Sequence, residues 1–351
     1  MTGSGIATVA RQEFRLRIRA GRWRWLLVAF FVLLVGFTAL LRLSLGQLPE
    51  EEQEFSGTVL YGGLMLFVLG LALLVVPALA AQSVNGDRER GTLATLQVTR
   101  LTAGEIALGK FGAAWGTSLV FLALTFPLVG YAMTQGGVPL TRLVVLTGVL
   151  ALLLGTVCAI SLWLSSALSR TTTSGVLAYL AVFGLTIGTL IVFGLFTAVT
   201  AEPYEEPNYV CDEYTYSPDE PYVEPECRPD GTTFNSQRVR PDRTWFLLAP
   251  NPFVVLADAA PALPEGPRRP EDDFTLSARD FDPLGAIGST VRYLRAEPTA
   301  DPYAEEPPAD SSPVWPTGLA IDVLLGAGAL VLTSRRLRTP TRDLPRGQRV
   351  A

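Results

Sequence analysis

Six long stretches of this chain carry almost no charge, at roughly 25–45, 58–81, 106–133, 140–166, 174–199 and 314–333. An apolar run of about 18 residues or more is long enough to cross the hydrocarbon core as a helix. In lipid every backbone N–H and C=O needs an internal partner, so a helix is the form such a run takes. The fold class this predicts is an all-α integral membrane protein with six transmembrane helices. The first run, apolar from Trp25 to Leu41, is longer than the core of a signal peptide and no small-residue cleavage site follows it. It reads as a retained helix.

Arginines set the orientation. Arg11, Arg15, Arg17, Arg19, Arg22 and Arg24 precede the first run, and Arg335, Arg336, Arg338, Arg342, Arg346 and Arg349 follow the last. The positive-inside rule places both ends in the cytoplasm, in agreement with an even number of spans. The connection 82–105 (Arg88, Arg90, Arg100) and the 167–173 turn (Arg170) fall on the same side. Outside lie the acidic 47–57 turn (Glu50, Glu51, Glu52, Glu54), a short 134–139 turn and the long segment 201–313.

The net charge of −5 therefore hides a division. Residues 201–312 hold 23 acidic and 9 basic side chains, and the remainder of the chain sums to +9. Basic ends beside membrane spans point to anionic lipid headgroups rather than nucleic acid. A single lysine, Lys110, among 28 basic residues points to a GC-rich bacterial genome, and so to a bacterial plasma membrane. No metal or cofactor motif is present: the acidic segment lacks the D-x-D-x-D-G spacing of a calcium loop. Cys158 lies mid-span and reads as packing. Cys211 and Cys227, sixteen apart in the outer segment, read as a disulfide worth on the order of 3 kcal/mol, with two free thiols as the alternative.

The units expected along the chain are a cytoplasmic interfacial helix (1–24), spans one to five (25–200), the outer acidic segment (201–313), span six (314–333) and a basic tail (334–351). In the first unit, Ile6, Val9, Ala10, Phe14 and Ile18 recur at helical spacing opposite Arg11, Arg15, Arg19 and Arg22, the pattern of a helix in the headgroup plane. Trp23 and Trp25 follow as interface anchors. Gly112 with Gly116 and Gly184 with Gly188 form G-x-x-x-G pairs that allow close helix packing. Pro77 and Pro127 are candidate kinks. Arg42 and Arg142, near outer span ends, are expected to snorkel. Asp322 lies deeper and marks a possible polar site within the membrane. In the outer segment, 202–243 and 261–282 read as Pro- and acid-rich loop, whereas 244–260 and 282–295 read as short helices at the outer surface.

The stretch "GEIALGKF" (104–111) imitates a phosphate-binding loop, G-x-x-x-x-G-K. Such a loop needs a preceding strand and a following Ser or Thr for magnesium. Here Phe111 stands in the hydroxyl position, no strand-forming run precedes Gly104, and the residues pass directly into a span. The match is coincidental, and no cytoplasmic region is large enough for an ATPase fold.

The longer stretch "NGDRERGTLATLQVTRLTAGEIALGKF" (85–111) resembles the first cytoplasmic loop of ABC-2 type transporter permeases, through Glu89, Gly91, Thr92, Leu93, Glu105, Ile106, Leu108, Gly109 and Lys110. The order of a basic amphipathic helix, six spans and an outer N-P-F element (Asn251, Pro252, Phe253) is similar to the same family; the outer segment is longer and more acidic than the family suggests. The resemblance implies a permease subunit, not itself an enzyme, energised by a separate ATP-binding subunit, paired with a second permease as homodimer or heterodimer, and working as an exporter. It also implies that 85–104 is a coupling segment. Asp87, Arg88, Glu89 and Arg90 would orient it, Gly91, Thr92, Leu93 and Leu96 would supply its turn and apolar edge, and Glu105 and Lys110 would stand at the membrane boundary, Lys110 reaching headgroups or helix-end carbonyls. A plain connecting loop is the alternative at this point.

Two other classes compete. A membrane-embedded transferase would need a general base near neutral pH, and the chain has no histidine. A membrane anchor or signalling partner of an ATPase would share every feature above except a transported cargo.

Overall fold

The computed structural model describes residues 3–19, 21–47, 56–92, 101–211, 227–263, 281–296 and 312–338. Six helical stretches in it are long and apolar enough to cross a membrane: Trp23–Leu45, Ser56–Glu89, Ala103–Thr134, Leu140–Ala167, Thr171–Val199 and Trp315–Arg336. They coincide with the six apolar runs of the sequence, and the chain is a multi-pass membrane protein. In order, α1 (Gly3–Arg19) leads into α2 (Gly21–Leu45), α3 (Ser56–Ala80), the short α4 (Asn85–Glu89), α5 (Ala103–Ala123), α6 (Phe126–Thr134), α7 (Leu140–Ala167), α8 (Thr171–Phe183) and α9 (Thr189–Val199). Two strands, β1 (Glu202–Cys211) and β2 (Cys227–Arg238), and helices α10 (Pro252–Asp258), α11 (Pro283–Tyr293) and α12 (Trp315–Arg336) complete it.

The core forms around α3 and α7, which bury Leu60, Leu64, Leu69, Leu146, Leu150 and Leu153 between them and their neighbours. Span one joins through Phe30 and Trp23, both edge-on to Phe121 of α5. Span five is the outlier: only 6% of its most apolar window is buried against the rest of the chain, compared with 56% for spans two and four.

The two proline positions behave differently. The helix of α3 runs through Pro77 to Ala80. At Pro127 the third span is interrupted: α5 ends at Ala123, Leu124 and Thr125 form a turn, and α6 restarts with proline in its first turn, where a missing N–H costs nothing. The Gly184/Gly188 pair falls in a π turn (Gly184–Gly188) between α8 and α9.

The acidic segment 202–243, expected as loop, contains an antiparallel ribbon with Glu202 opposite Arg238 and Cys211 opposite Cys227. Cys211 and Cys227 are disulfide-bonded at the far end. Composition misled because Pro203, Pro207 and Pro229 argue against a central strand, whereas a two-stranded ribbon has only edges, where proline is tolerated. Cross-strand contacts supply order, including the Arg238 guanidinium 3.6 Å from the Tyr204 ring centre. At its base Arg243 bonds Glu202 at 2.6 Å, and Arg240 clasps Asp242 at 2.8 and 2.9 Å.

The stretches 244–260 and 282–295 contain short helices that sink into one end of the bundle. Val255, Leu256 and Leu284 are fully buried in the main core. Gly318 of α12 lies so close to the chain before α10 that an added Cβ would stand 2.0 Å from the Ala249 carbonyl oxygen. Asp258 ties this end together. Its Oδ2 accepts from the Val314 and Trp315 amides at 2.6 and 2.7 Å, capping α12, and its Oδ1 accepts from Arg292 Nε at 2.6 Å. Arg142 does not snorkel. It is fully buried and paired with Asp282, because α11 brings that carboxylate over the start of α7.

Candidate functional site: the platform between spans two and three

Lys110 is the focus of the site. Its position about two turns into the third span would strand an ammonium in apolar surroundings, and a buried charge needs partners. Three groups surround it: Asp87 of α4, Glu13 of α1, and the Ser83 carbonyl, which accepts from Nζ at 2.9 Å. Lys110 is wholly inaccessible to solvent and Asp87 is 7% exposed. The ammonium is therefore enclosed by protein, and of the two contacts expected for it only the carbonyl one is present. Arg90 bonds the other oxygen of Asp87 at 3.0 Å.

The neighbouring Gly109 has its own reason. A Cβ there would lie 2.5 Å from Val9 Cβ, so glycine lets α1 pack directly on α5. Gly5 of α1 meets Glu105 and Leu101 in the same way at 3.1 Å, and Arg17 reaches within 3.5 Å of Thr117. Helix α1 thus runs along the first half of α5, in the same direction, with its Gly5–Val9 face buried. Leu16 and Ile18 remain exposed, and Arg11, Arg15 and Arg19 line a shallow groove on the other face. The "GK" of the phosphate-loop imitation is accounted for by structure: a contact glycine and an ion-paired lysine.

Glu105 also turns inward. Thr102 Oγ1 accepts from the Glu105 amide at 3.3 Å, and Glu105 Oε2 accepts from the Thr102 amide at 2.8 Å, a capping box that starts α5. Sequence reading assigned Glu105 to the loop motif; the T-x-x-E spacing was the overlooked signal for a cap.

The connection between spans four and five joins the one between spans two and three. Ser165 of α7 accepts from the amides of Val84 and Asn85, both at 3.1 Å. Asn85 Nδ2 donates to Ser174 Oγ at 3.2 Å, and Ser174 Oγ donates to the Ala81 carbonyl at 2.9 Å. Arg88 Nη1 donates to the Leu168 carbonyl at 2.8 Å and to Asn85 Oδ1 at 3.0 Å. Thr171 Oγ1 donates to Glu89 at 2.8 Å. The stub 82–92 is thereby fixed to α7, α8 and α5, and through Lys110 to α1. Gly91, with φ +70°, reverses the chain after α4, a conformation that favours glycine.

The coupling candidates divide by exposure. Glu89, Arg90, Gly91 and Thr92 are exposed; Arg88 is half-buried; Glu105 and Lys110 are buried. Leu93 and Leu96, with 93–100, lie outside the described residues.

At the opposite end of the bundle the N-P-F element has a definite task. Asn251 Oδ1 accepts from the Phe253 amide at 2.9 Å, capping α10, while its Nδ2 donates to the Thr186 carbonyl at 2.7 Å and to Thr189 Oγ1 at 2.8 Å. The Thr186 carbonyl, inside the π turn that displaces the ordinary helical ladder, thus accepts from two side chains, Asn251 Nδ2 and, at 2.8 Å, Thr189 Oγ1. Among the described residues no group of three or more His, Cys, Asp or Glu side chains could hold a metal.

The family model described as ABC-2 family transporter protein matches residues 7–267, which include the whole platform, spans one to five and the N-P-F element. No curated protein matches the chain. Members of this family are transmembrane subunits that are not catalytic and that generally pair with an ATP-binding subunit. The chain belongs to the ABC-2 family of transporter membrane proteins.

Proposed function

We propose that this subunit couples to a separate ATP-binding subunit through the exposed edge of its platform, Glu89 to Thr92 with the following residues to 104, and exports an amphiphilic cargo. The observation that carries the reading is the direct bonding of one cytoplasmic stub to α5, α7 and α8, with α1 joined to it through Lys110. A force applied at Glu89–Thr92 reaches α1 and α5 through Lys110, and α7 and α8 through Asn85 and Arg88. A connection that merely joined two spans would not need these bonds. Lys110 and Glu105 act as positioning residues, since neither side chain is open to a partner.

Pairing with a second permease, a like copy or a related chain, follows from spans one and five. Their most apolar windows are 17% and 6% buried within the chain, and Gly184 and Gly194 have open space beside them. Cytoplasmic termini in a bacterial plasma membrane are supported by the arginine distribution, and an outward direction by the family's habit alone. The basic groove of α1 suits anionic lipid headgroups. The test is ATP hydrolysis in vesicles reconstituted with this chain and its ATP-binding partner. Turnover that depends on both chains and rises with cargo supports the reading; turnover indifferent to any cargo favours an anchor or signalling role.

A further inference from the structure

Asp322 stands about 10 Å along α12 from Trp315, within the last span. It is 1% exposed, and neither carboxylate oxygen has a hydrogen-bond donor. Its surroundings are tight. Thr156 Oγ1 of α7 donates to the Asp322 main-chain carbonyl at 3.1 Å and not to the carboxylate, and Gly326 lies against Thr156, leaving 3.2 Å between an added Cβ and the Thr156 Cα.

The elements packed on α12 offer no cation. On α7, Arg142 is at the outer end and committed to Asp282, and the Cys158 thiol faces Ser118. On α5, Lys110 lies near the opposite end with Asp87 and Glu13, and Glu105 caps its helix. On α10, Asp258 is taken up by the α12 amides and Arg292. Arg335 and Arg336 are at the far end of α12 itself, about 20 Å away along the helix. An ionised carboxylate in such a place is heavily penalised, whereas a neutral acid is not.

The geometry points to Asp322 as a proton-binding site at the seam of spans four and six, loaded while α7 and α12 are packed and emptied when they part and water reaches the carboxylate. A proton is small enough to be held in so enclosed a site, and it exchanges when the helices part and water enters. The loaded state depends on this chain alone; its release during turnover rests on the coupled permease reading.

Infrared spectroscopy of the full chain in lipid nanodiscs tests the first part. At neutral pH, wild type minus Asp322→Asn should show the carbonyl band of a protonated carboxylic acid, shifted in heavy water. Loss of a carboxylate band pair instead overturns the site. Asp322→Leu provides a second readout. Relative to the variant, wild type should lose thermal stability progressively as pH rises above about 3.9, the ordinary Asp value, until the buried carboxyl ionises; parallel curves at every pH would equally overturn it. In the complex with the ATP-binding subunit, the band should fall during ATP turnover. A band that stays constant there overturns the release step, whereas failure of the two chains to associate strikes the permease reading and leaves the resting band intact.

Discussion

Lys110 and Asp87, on different elements and 23 residues apart, share a buried ion pair that fixes the 82–92 stub to the third span. Glu13 completes it from the N-terminal helix. Three segments distant in sequence thus meet at one ammonium, beneath the exposed edge at Glu89–Thr92.

Removing that ammonium should cost more than it would at a surface. Lys110→Met leaves two carboxylates facing each other in a buried site, and breaking a buried pair costs about 3–5 kcal/mol. The expected outcome is a lower unfolding midpoint and lost stimulation of ATP hydrolysis. Lys110→Met combined with Asp87→Asn should recover part of the midpoint; a double variant no better than the single one would show that the charges are not coupled.

Gly109→Val should separate α1 from α5. The added side chain meets Val9 and the Ile6 carbonyl within 3.1 Å, and overpacking of this kind costs about 1–3 kcal/mol. Spin labels on α1 and α5 should move apart in the variant. Unchanged distances would mean that α1 adapts without leaving its seat.

Asn251 separates two roles by substitution. Asn251→Asp keeps the cap on α10 but cannot donate to the Thr186 carbonyl, while Asn251→Ala loses both. Both variants should raise hydrogen exchange around 184–190, with Ala costing a further 1 kcal/mol or so from the lost cap. Exchange that rises only in the Ala variant would assign Asn251 to the cap alone.

The six spans and the family were legible because hydropathy and a local loop motif carry them. The bonds that build the site were not. Lys110 finds Glu13 at a separation of 97 residues, and Asn251 finds Thr186 at 65. Such distances leave no periodic trace in a single sequence. Arg142 was misread for the same reason, since its partner Asp282 lies 140 residues on, in a segment read as exposed. The ribbon was hidden by its prolines, and its disulfide was the one legible part of it.

Acid should loosen the ribbon and its base. Hydrogen bonds from Arg240 hold the Asp242 carboxyl below the usual range, and those from Thr232 do the same for Asp230. Lowered folded-state values mean that this support is present near neutrality and is lost as pH falls below about 3.9, the ordinary Asp value. In a carbon-detected NMR titration these two carboxyls should protonate at lower pH than other exposed aspartates. Titration together with the rest would contradict the pairing.

Reduction of Cys211–Cys227 should open the ribbon locally, removing about 3 kcal/mol of loop constraint. Amide exchange should rise in 202–211 and 227–238 and stay unchanged in the spans; faster exchange in the spans would show that the ribbon supports the bundle.

The central claim is that motor contact passes through the edge of the platform, and co-purification with the ATP-binding subunit tests it most directly. Wild type should retain that subunit and its ATP turnover. Glu89→Arg, which reverses charge at an exposed position, should lose most of both while the chain stays folded, and Leu93→Asp should do the same. Full retention of partner and turnover by both variants would contradict the account.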